Sequence, residues 1–181
     1  MSQDAFRLIS PSGTESELPV RSGTTGPDVI DIGKLYAEQR VFTYDPGFVA
    51  TGSCSSDITF IDGEKGVLMY RGYPVEQLAK HSSFIEVSYL LLYGELPTAA
   101  ELEEFDRTIR RHTMLNEGML KFFNGFRYDA HPMAILSAVV GSMSAYYHDT
   151  LDSSNPAERE IFAHRILAKL PTIAAASYKL N

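Results

Sequence analysis

The order of hydrophobic and polar positions changes character near residue 70. Ile58 and Phe60 precede a glycine-containing turn at residues 62–66, and Val67 and Met69 follow it, with each pair spaced two residues apart. A period of two is typical of half-buried strands, and glycine supplies the positive φ that tight turns need. The sequence therefore predicts a β-hairpin here.

A helix is predicted directly after this hairpin. Pro74 has a fixed φ that suits a first helical position. Val75, Leu78 and Ala79 then form a one-sided apolar stripe, which is typical of a helix packed on one face. The hairpin and the helix together predict a β-to-α junction within residues 57–78.

The first 50 residues read as strand and loop. Residues 6–10 and 17–21 flank the polar run PSGTES, which predicts a small hairpin. After it we expect a linker, an apolar patch running into a helical turn, and a strand, at residues 22–27, 29–39 and 41–44.

At least five helices are predicted after residue 80, because residues that cap helices recur in front of apolar stripes. Thr98 and Glu101 have the spacing of a capping box, in which each side chain satisfies an amide at the helix start. The expected helices run from Ser82 or Ser83 to Gly94, from Thr98 to near Met114, from Asn116 onward, from Pro132 to Tyr147, and from Pro156 to a break at Pro171. Residues 172–181 read as one more helix that has just begun, so we expect the chain to be part of a longer protein.

Composition narrows the class of protein. The 181 residues are 44% hydrophobic and 22% charged, which is typical of a globular protein, and the net charge of −7 argues against binding to nucleic acid or an anionic membrane. Cys54 is the only cysteine, which excludes an intrachain disulfide and a thiolate metal cluster and favours a reducing cytoplasm. The uncharged run at residues 132–147 is shorter than the about 20 residues that span a bilayer, so it predicts a buried helix.

Signatures of catalysis are missing from the sequence. It contains no G-x-S-x-G elbow, no glycine-rich phosphate loop and no H-E-x-x-H pair. The five histidines are scattered, and His131 stands directly before Pro132, which favours a capping role. The acidic residues near turns, such as Asp149 and Asp152, are explained by turn chemistry. We predict no catalytic residue and no metal site in this chain.

Capping and turn chemistry do not explain a set of basic residues on two predicted helices. Arg165 and Lys169 are four residues apart on one helical face, where like charges repel by a few tenths of a kcal/mol. Arg110, Arg111 and His112 lie together at an earlier helix end, where the helix dipole favours cations. Two interpretations stay open: solvated residues that pair with nearby acids, Glu158, Glu160 or Glu104, or a site for an anion.

Four motifs in combination resemble the citrate synthase family, in its type II form from Gram-negative bacteria. They read FTYDPGF, DITFIDGEKGVLMYRGYPVEQL, LLYGELPT and FRYDAHPMAIL, and the likeness runs from about Val29 to Asn181. The resemblance implies the helices of the family's large domain behind a small N-terminal β segment. It implies a division into residues 1–50, a β and loop segment; 51–72, the hairpin; and 73–181, the truncated first part of the helical domain.

This resemblance implies an acyltransferase of the tricarboxylic acid cycle that condenses acetyl-CoA with oxaloacetate to citrate and CoA, without a cofactor. The family's catalytic residues lie in motifs that read like GPAHGG, GFGHR and PNVDFY, and none of these occurs in the 181 residues. The chain alone is thus expected to be inactive, and the complete enzyme to form homodimers and hexamers. The alternatives are a 2-methylcitrate synthase and a noncatalytic oligomerisation or NADH-sensing module.

The resemblance also assigns the basic set to a regulatory site. Type II enzymes are inhibited allosterically by NADH, and arginine and lysine suit its diphosphate while tyrosine and methionine suit its base or ribose. The residues matched to that site are Arg111, His112, Thr113, Met114, Tyr147, Arg165 and Lys169.

Overall fold

A computed structural model describes residues 4–180 of the chain. The residues divide into two compact units, Met1–Leu96 and Pro97–Asn181. Helices dominate the second unit, while both small sheets lie in the first. The predicted class, mainly α with a small N-terminal β segment, is confirmed. The functional divisions at residues 50 and 72 stay predictions.

The first unit begins with the predicted hairpin. Strands β1, Ala5–Ile9, and β2, Glu15–Arg21, pair antiparallel with Phe6 opposite Leu18, and β3, Val29–Ile30, adds to the other side of β2. Helix α1, Leu35–Gln39, follows at the predicted helical turn.

The strand expected at residues 41–44 does not form. Instead, the Phe42 ring stacks on the Tyr36 ring, with centroids 4.4 Å apart, and the Tyr44 side chain is 92% exposed. The Asp45 carboxylate then accepts hydrogen bonds from the amides of Val49 and Ala50, which closes a loop. The prediction was wrong because an alternating apolar pattern forms a strand only where a neighbouring strand can pair with it.

The second hairpin and its helix are confirmed, with one shift. Strands β4, Thr59–Asp62, β5, Val67–Tyr70, and β6, Tyr73–Pro74, form an antiparallel sheet, and α2 spans Val75–His81. The prediction that Pro74 opens the helix was wrong, since its ψ of 134° is extended and it serves as the N-cap. Its pairing with Met69 in the sheet holds it outside the helix.

Arg71, directly after β5, links this sheet to the second helix that follows it. Its φ is +49°, and its guanidinium donates to the carbonyl of Leu91, 3.0 Å away, in α3, Phe84–Tyr93. Helix α3 begins with a capping box at Ser83 and ends at Gly94, which has the left-handed φ of +97°, as predicted. Arg71 therefore acts as scaffold.

In the described part of the second unit, up to residue 180, there are four helices and two short 3-10 turns. The helices are α4, Ala99–Arg111, α5, Glu117–Phe123, α6, Pro132–Ser142, and α7, Pro156–Lys179, and the turns are Met143–Ala145 and His148–Thr150. Thr98, Asn116, His131 and Asn155 cap the four helices in order, as the sequence predicts.

Two helices end earlier than expected. Helix α4 stops at Arg111 instead of near Met114, because the carbonyls of His112 and Met114 turn toward the Lys169 ammonium. Helix α6 stops at Ser142 instead of Tyr147. The hydroxyl of Ser142 donates to the carbonyl of Val139, and such bonds compete with regular helical ones.

Helix α7 does not break at Pro171 as predicted. A proline inside a helix removes one backbone hydrogen bond, but this helix buries Ala168 and Ile173 on either side of it. Burial of a large apolar side chain stabilises by about 2 kcal/mol, which offsets much of that cost. Tertiary packing therefore overrides the local signal.

The core of the second unit lies between α5, α6 and α7. Its fully buried members are Met119, Phe123, Ile135, Val139, Met143 and Ile173. Helix α6 is buried only on the face that carries Ile135 and Val139, whereas Met133 is 58% exposed. The prediction of a buried helix therefore holds, in the chain as described, for this one face of α6.

Candidate functional site

The basic cluster forms where α7 passes the second 3-10 turn and the end of α4. Arg165 donates from both terminal nitrogens to the two carboxylate oxygens of Asp149, each at 2.8 Å, and to the Thr150 hydroxyl at 3.2 Å. This two-point arrangement is the strong geometry for an arginine and a carboxylate. It lowers the pKa of Asp149 to about 2, chiefly through the Arg165 hydrogen bonds.

Lys169 lies one turn further along α7 and is 3% exposed. Its ammonium donates to the carbonyls of His112 and Met114, each 2.6 Å away. These carbonyls follow the last residue of α4, where backbone acceptors lack helical partners. Lys169, which belongs to α7, therefore supplies hydrogen-bond donors to the carbonyls at the C-terminal end of α4.

The Tyr147 ring lies close to both cations. The Arg165 guanidinium is 4.8 Å and the Lys169 ammonium 5.1 Å from the centroid of its ring, within the range of cation–π attraction. The ring, Asp149 and the two carbonyls together offset the repulsion between Arg165 and Lys169. The repulsion alone thus does not require an external anion.

Two arginines of the basic set pair with acids other than those expected. Arg165 pairs with Asp149, and Arg110 pairs with Asp106 at 2.7 Å. Glu104 pairs with Arg107. The pairing with Asp149 could not be predicted from spacing, because Asp149 stands 16 residues before Arg165. Only the turn that precedes α7 brings the two side chains together.

The other predicted site residues are arranged less tightly. Thr113 donates from its hydroxyl to the carbonyl of Arg110 at 2.9 Å, which is a helix-end contact. The Met114 side chain is 79% exposed, although its carbonyl receives Lys169. The exposed Arg111 lines a shallow depression together with Glu103, Asp106, Arg107 and Arg110. The structure therefore gathers Tyr147, Arg165, Lys169 and the backbone of residues 112–114, with Arg111 at the neighbouring surface.

His112 lies in a positive environment. Burial lowers its pKa from 6.5, and the charges of Arg165, Lys169 and His164 lower that pKa further. The imidazole is thus held neutral in the folded protein at pH values where an exposed histidine already gains a proton.

We expect this histidine to make the folded protein sensitive to mild acid. Its lowered pKa means that the unfolded chain takes up the proton first, so stability is present above pH 6.5 and falls as the pH drops from there toward the folded value. Urea unfolding at pH 8 and pH 5 should show a smaller acid-induced loss in His112→Gln than in the unchanged protein. An equal loss in both proteins would contradict this assignment.

His131, His164 and Asp152 make local contacts of the kind expected of structural residues, whereas Asp149 pairs with Arg165. The Nδ1 of His131 accepts the Met133 amide at 3.2 Å, and His164 packs edge-on against Phe105 with centroids 5.4 Å apart. Asp152 accepts the Ser154 amide at 2.9 Å, as turn chemistry predicts. Within residues 4–180, no three His, Cys, Asp or Glu side chains are gathered as a metal site would need. No helix in that same part of the chain is long and apolar enough to cross a membrane.

Solved structures with the same arrangement of helices are citrate synthases. The enzyme from Pyrobaculum aerophilum matches with a TM-score of 0.65 and 30% identity over 98% of this chain, and that from Thermotoga maritima MSB8 with 0.61 and 30% over 77%. A third, from Thermoplasma acidophilum, matches with 0.67 and 24% identity over 76%, and that structure is a ternary complex with carboxymethyl coenzyme A and oxaloacetate.

The family follows from the sequence match as well. The model of the family described as citrate synthase, C-terminal domain, matches residues 47–181. The chain belongs to the citrate synthase family. It covers 39%, 37% and 36% of the lengths of the Pyrobaculum, Thermoplasma and Thermotoga chains.

Proposed function

We propose that this chain is the N-terminal portion of a citrate synthase that condenses acetyl-CoA with oxaloacetate to give citrate and CoA. The observation that carries the proposal is the match of residues 47–181 to the family, together with 30% identity to the Pyrobaculum enzyme over 98% of the chain. The Thermoplasma structure holds a CoA derivative and oxaloacetate, which supports the same pair of substrates.

The catalytic groups of the complete enzyme belong, in this proposal, to segments outside the 181 residues. The sequence contains none of the motifs that resemble GPAHGG, GFGHR or PNVDFY. The buried groups of the second unit are engaged in packing and helix ends, as Lys169 is with two carbonyls. The chain then contributes scaffold, and by itself it is expected to be inactive.

The complete protein should release CoA from acetyl-CoA only when oxaloacetate is present. A thiol-detection assay with acetyl-CoA and with propionyl-CoA measures this, and a higher kcat/KM for acetyl-CoA is expected. Preference for propionyl-CoA would instead identify a 2-methylcitrate synthase. No turnover with either thioester would favour the noncatalytic module, and turnover by the isolated 181 residues would contradict the placement of the catalytic groups.

We further propose that the enzyme belongs to the type II branch, forms homodimers that assemble into hexamers, and works in the cytoplasm. The three-stranded sheet of residues 5–30 supports the branch, since an extra N-terminal β segment distinguishes it. The single, exposed Cys54 fits a reducing compartment. Light scattering on the complete protein would test the assembly, and a mass of two chains at working concentration would contradict the hexamer.

We propose that the cluster around Tyr147 is an allosteric NADH site. Its support is the proximity of an aromatic ring to two cations, with exposed Arg111 and the exposed Met114 side chain nearby in sequence at the end of α4. A diphosphate would pair with the arginines, and Tyr147 or Met114 would contact the base or ribose. The second unit alone supplies all seven matched residues.

Arg111→Ala should weaken NADH binding to the complete protein by about tenfold, since a charge-assisted hydrogen bond contributes about 1.5 kcal/mol or more. Fluorescence titration with NADH measures the change. Arg110→Ala is the matched control, because Arg110 stands next in the same helix but is held by Asp106. Equal NADH affinity in all three proteins would remove this proposal.

A further inference from the structure

Asp149 occupies the edge of Arg165 that an anionic ligand would use. The two terminal guanidinium nitrogens both point to its carboxylate, at 2.8 Å each. A guanidinium binds carboxylate and phosphate through this same pair of parallel donors. A phosphate and the Asp149 carboxylate therefore compete for one edge of Arg165.

The two partners differ sharply in burial. The Arg165 side chain is 12% exposed, whereas that of Asp149 is 63% exposed. Asp149 also belongs to a three-residue 3-10 turn, His148–Thr150, and not to a long helix. Its carboxylate can thus move into water at little cost in buried area, while Arg165 stays in place over the Tyr147 ring.

Arg165 also has hydrogen-bonding capacity left over. Its Nε is buried and, among the described residues, has no acceptor. A buried donor without a partner costs about 1–3 kcal/mol, so the present partners of Arg165 do not satisfy its guanidinium completely. Asp149 and Thr150 accept hydrogen bonds from the terminal nitrogens of Arg165 but not from its Nε.

We infer that Asp149 is an internal competitor that must leave Arg165 before a phosphate-bearing ligand binds at the Tyr147 cluster. This inference rests on the proposed NADH site and adds how that site is held closed. The ion pair between Arg165 and Asp149 weakens ligand binding, because the ligand must replace Asp149 as the charged partner of Arg165. Screening by salt weakens the exposed pair and the ligand contact alike, so a variant tests the idea better than a change of ionic strength.

The test measures NADH affinity in the complete protein with Asp149→Asn, which removes the charge and keeps the shape. We expect binding about tenfold tighter than in the unchanged protein, within the usual range of coupling between sites. The matched control is Asp152→Asn. It removes the same charge three residues away, from a carboxylate that binds Ser154 and not Arg165.

The possible outcomes separate this inference from the proposed NADH site. Tighter binding in Asp149→Asn alone, including binding that appears only in this variant, supports the competitor role. If the unchanged protein binds NADH and Asp149→Asn does so equally or less well, the competitor role is overturned and the site stands. Equal gains in Asp149→Asn and Asp152→Asn would show a general charge effect and also overturn it. Binding in no variant removes both proposals.

Asp149→Ser replaces Asp149→Asn if circular dichroism shows that the amide variant does not fold.

Discussion

Replacing Phe123 by alanine is expected to lower the free energy of unfolding by about 3–5 kcal/mol, the usual cost of removing a buried aromatic ring. Phe123 is 0% exposed and belongs to the core that joins α5, α6 and α7. The cavity would lie among Met119, Val139 and Ile173, which are themselves held in place by three different helices. Urea unfolding of the complete protein, followed by circular dichroism, measures the loss.

The neighbouring residue provides the control. Phe122 is 42% exposed and packs edge-on against Phe126, with ring centroids 5.3 Å apart. Phe122→Ala should therefore cost about 1 kcal/mol, in line with a partly exposed aromatic pair. Losses of equal size in the two variants would show that the core is not where the structure places it.

Lys169→Met is expected to lower the free energy of unfolding by about 3 kcal/mol. The substitution keeps the apolar stem but removes an ammonium that serves two carbonyls, and buried acceptors without partners are costly. The loss should be local at first, so amide hydrogen exchange should speed up at residues 112–115 more than elsewhere in the second unit. Thermal unfolding and exchange measured by mass spectrometry test both parts.

Lys179→Met on the same helix is the matched control, because Lys179 is exposed in the last turn of α7. Little change in stability is expected there. If Lys169→Met also left stability and exchange unaltered but abolished NADH binding, Lys169 would be a ligand contact and not the support of the α4 end.

The sequence predicts which face of α7 carries the two cations of the candidate site, but not the groups that they contact. The residue types and the helical spacing of Arg165 and Lys169 placed both cations on one face of α7, and the structure bears this out by setting both near Tyr147. What they touch could not be predicted. Asp149 reads as a turn residue, as Asp152 does, and only the path of the chain before α7 distinguishes the two.

The sequence by itself determined the local starts of structure. Capping at Ser83, Thr98, Asn116, His131 and Asn155 needs only a side chain and the amides two or three residues on, so the pattern suffices. Helix ends and strand pairing depend on distant partners. Tertiary structure alone decided that residues 41–44 do not pair as a strand and that α4 stops before His112 and Met114, whose carbonyls accept from Lys169. It also decided that α7 continues through Pro171, because Ile173 is buried beyond it. Contacts between residues far apart in sequence outweigh local preference at each of these points, since burial and hydrogen bonding there involve larger free energies than propensity does.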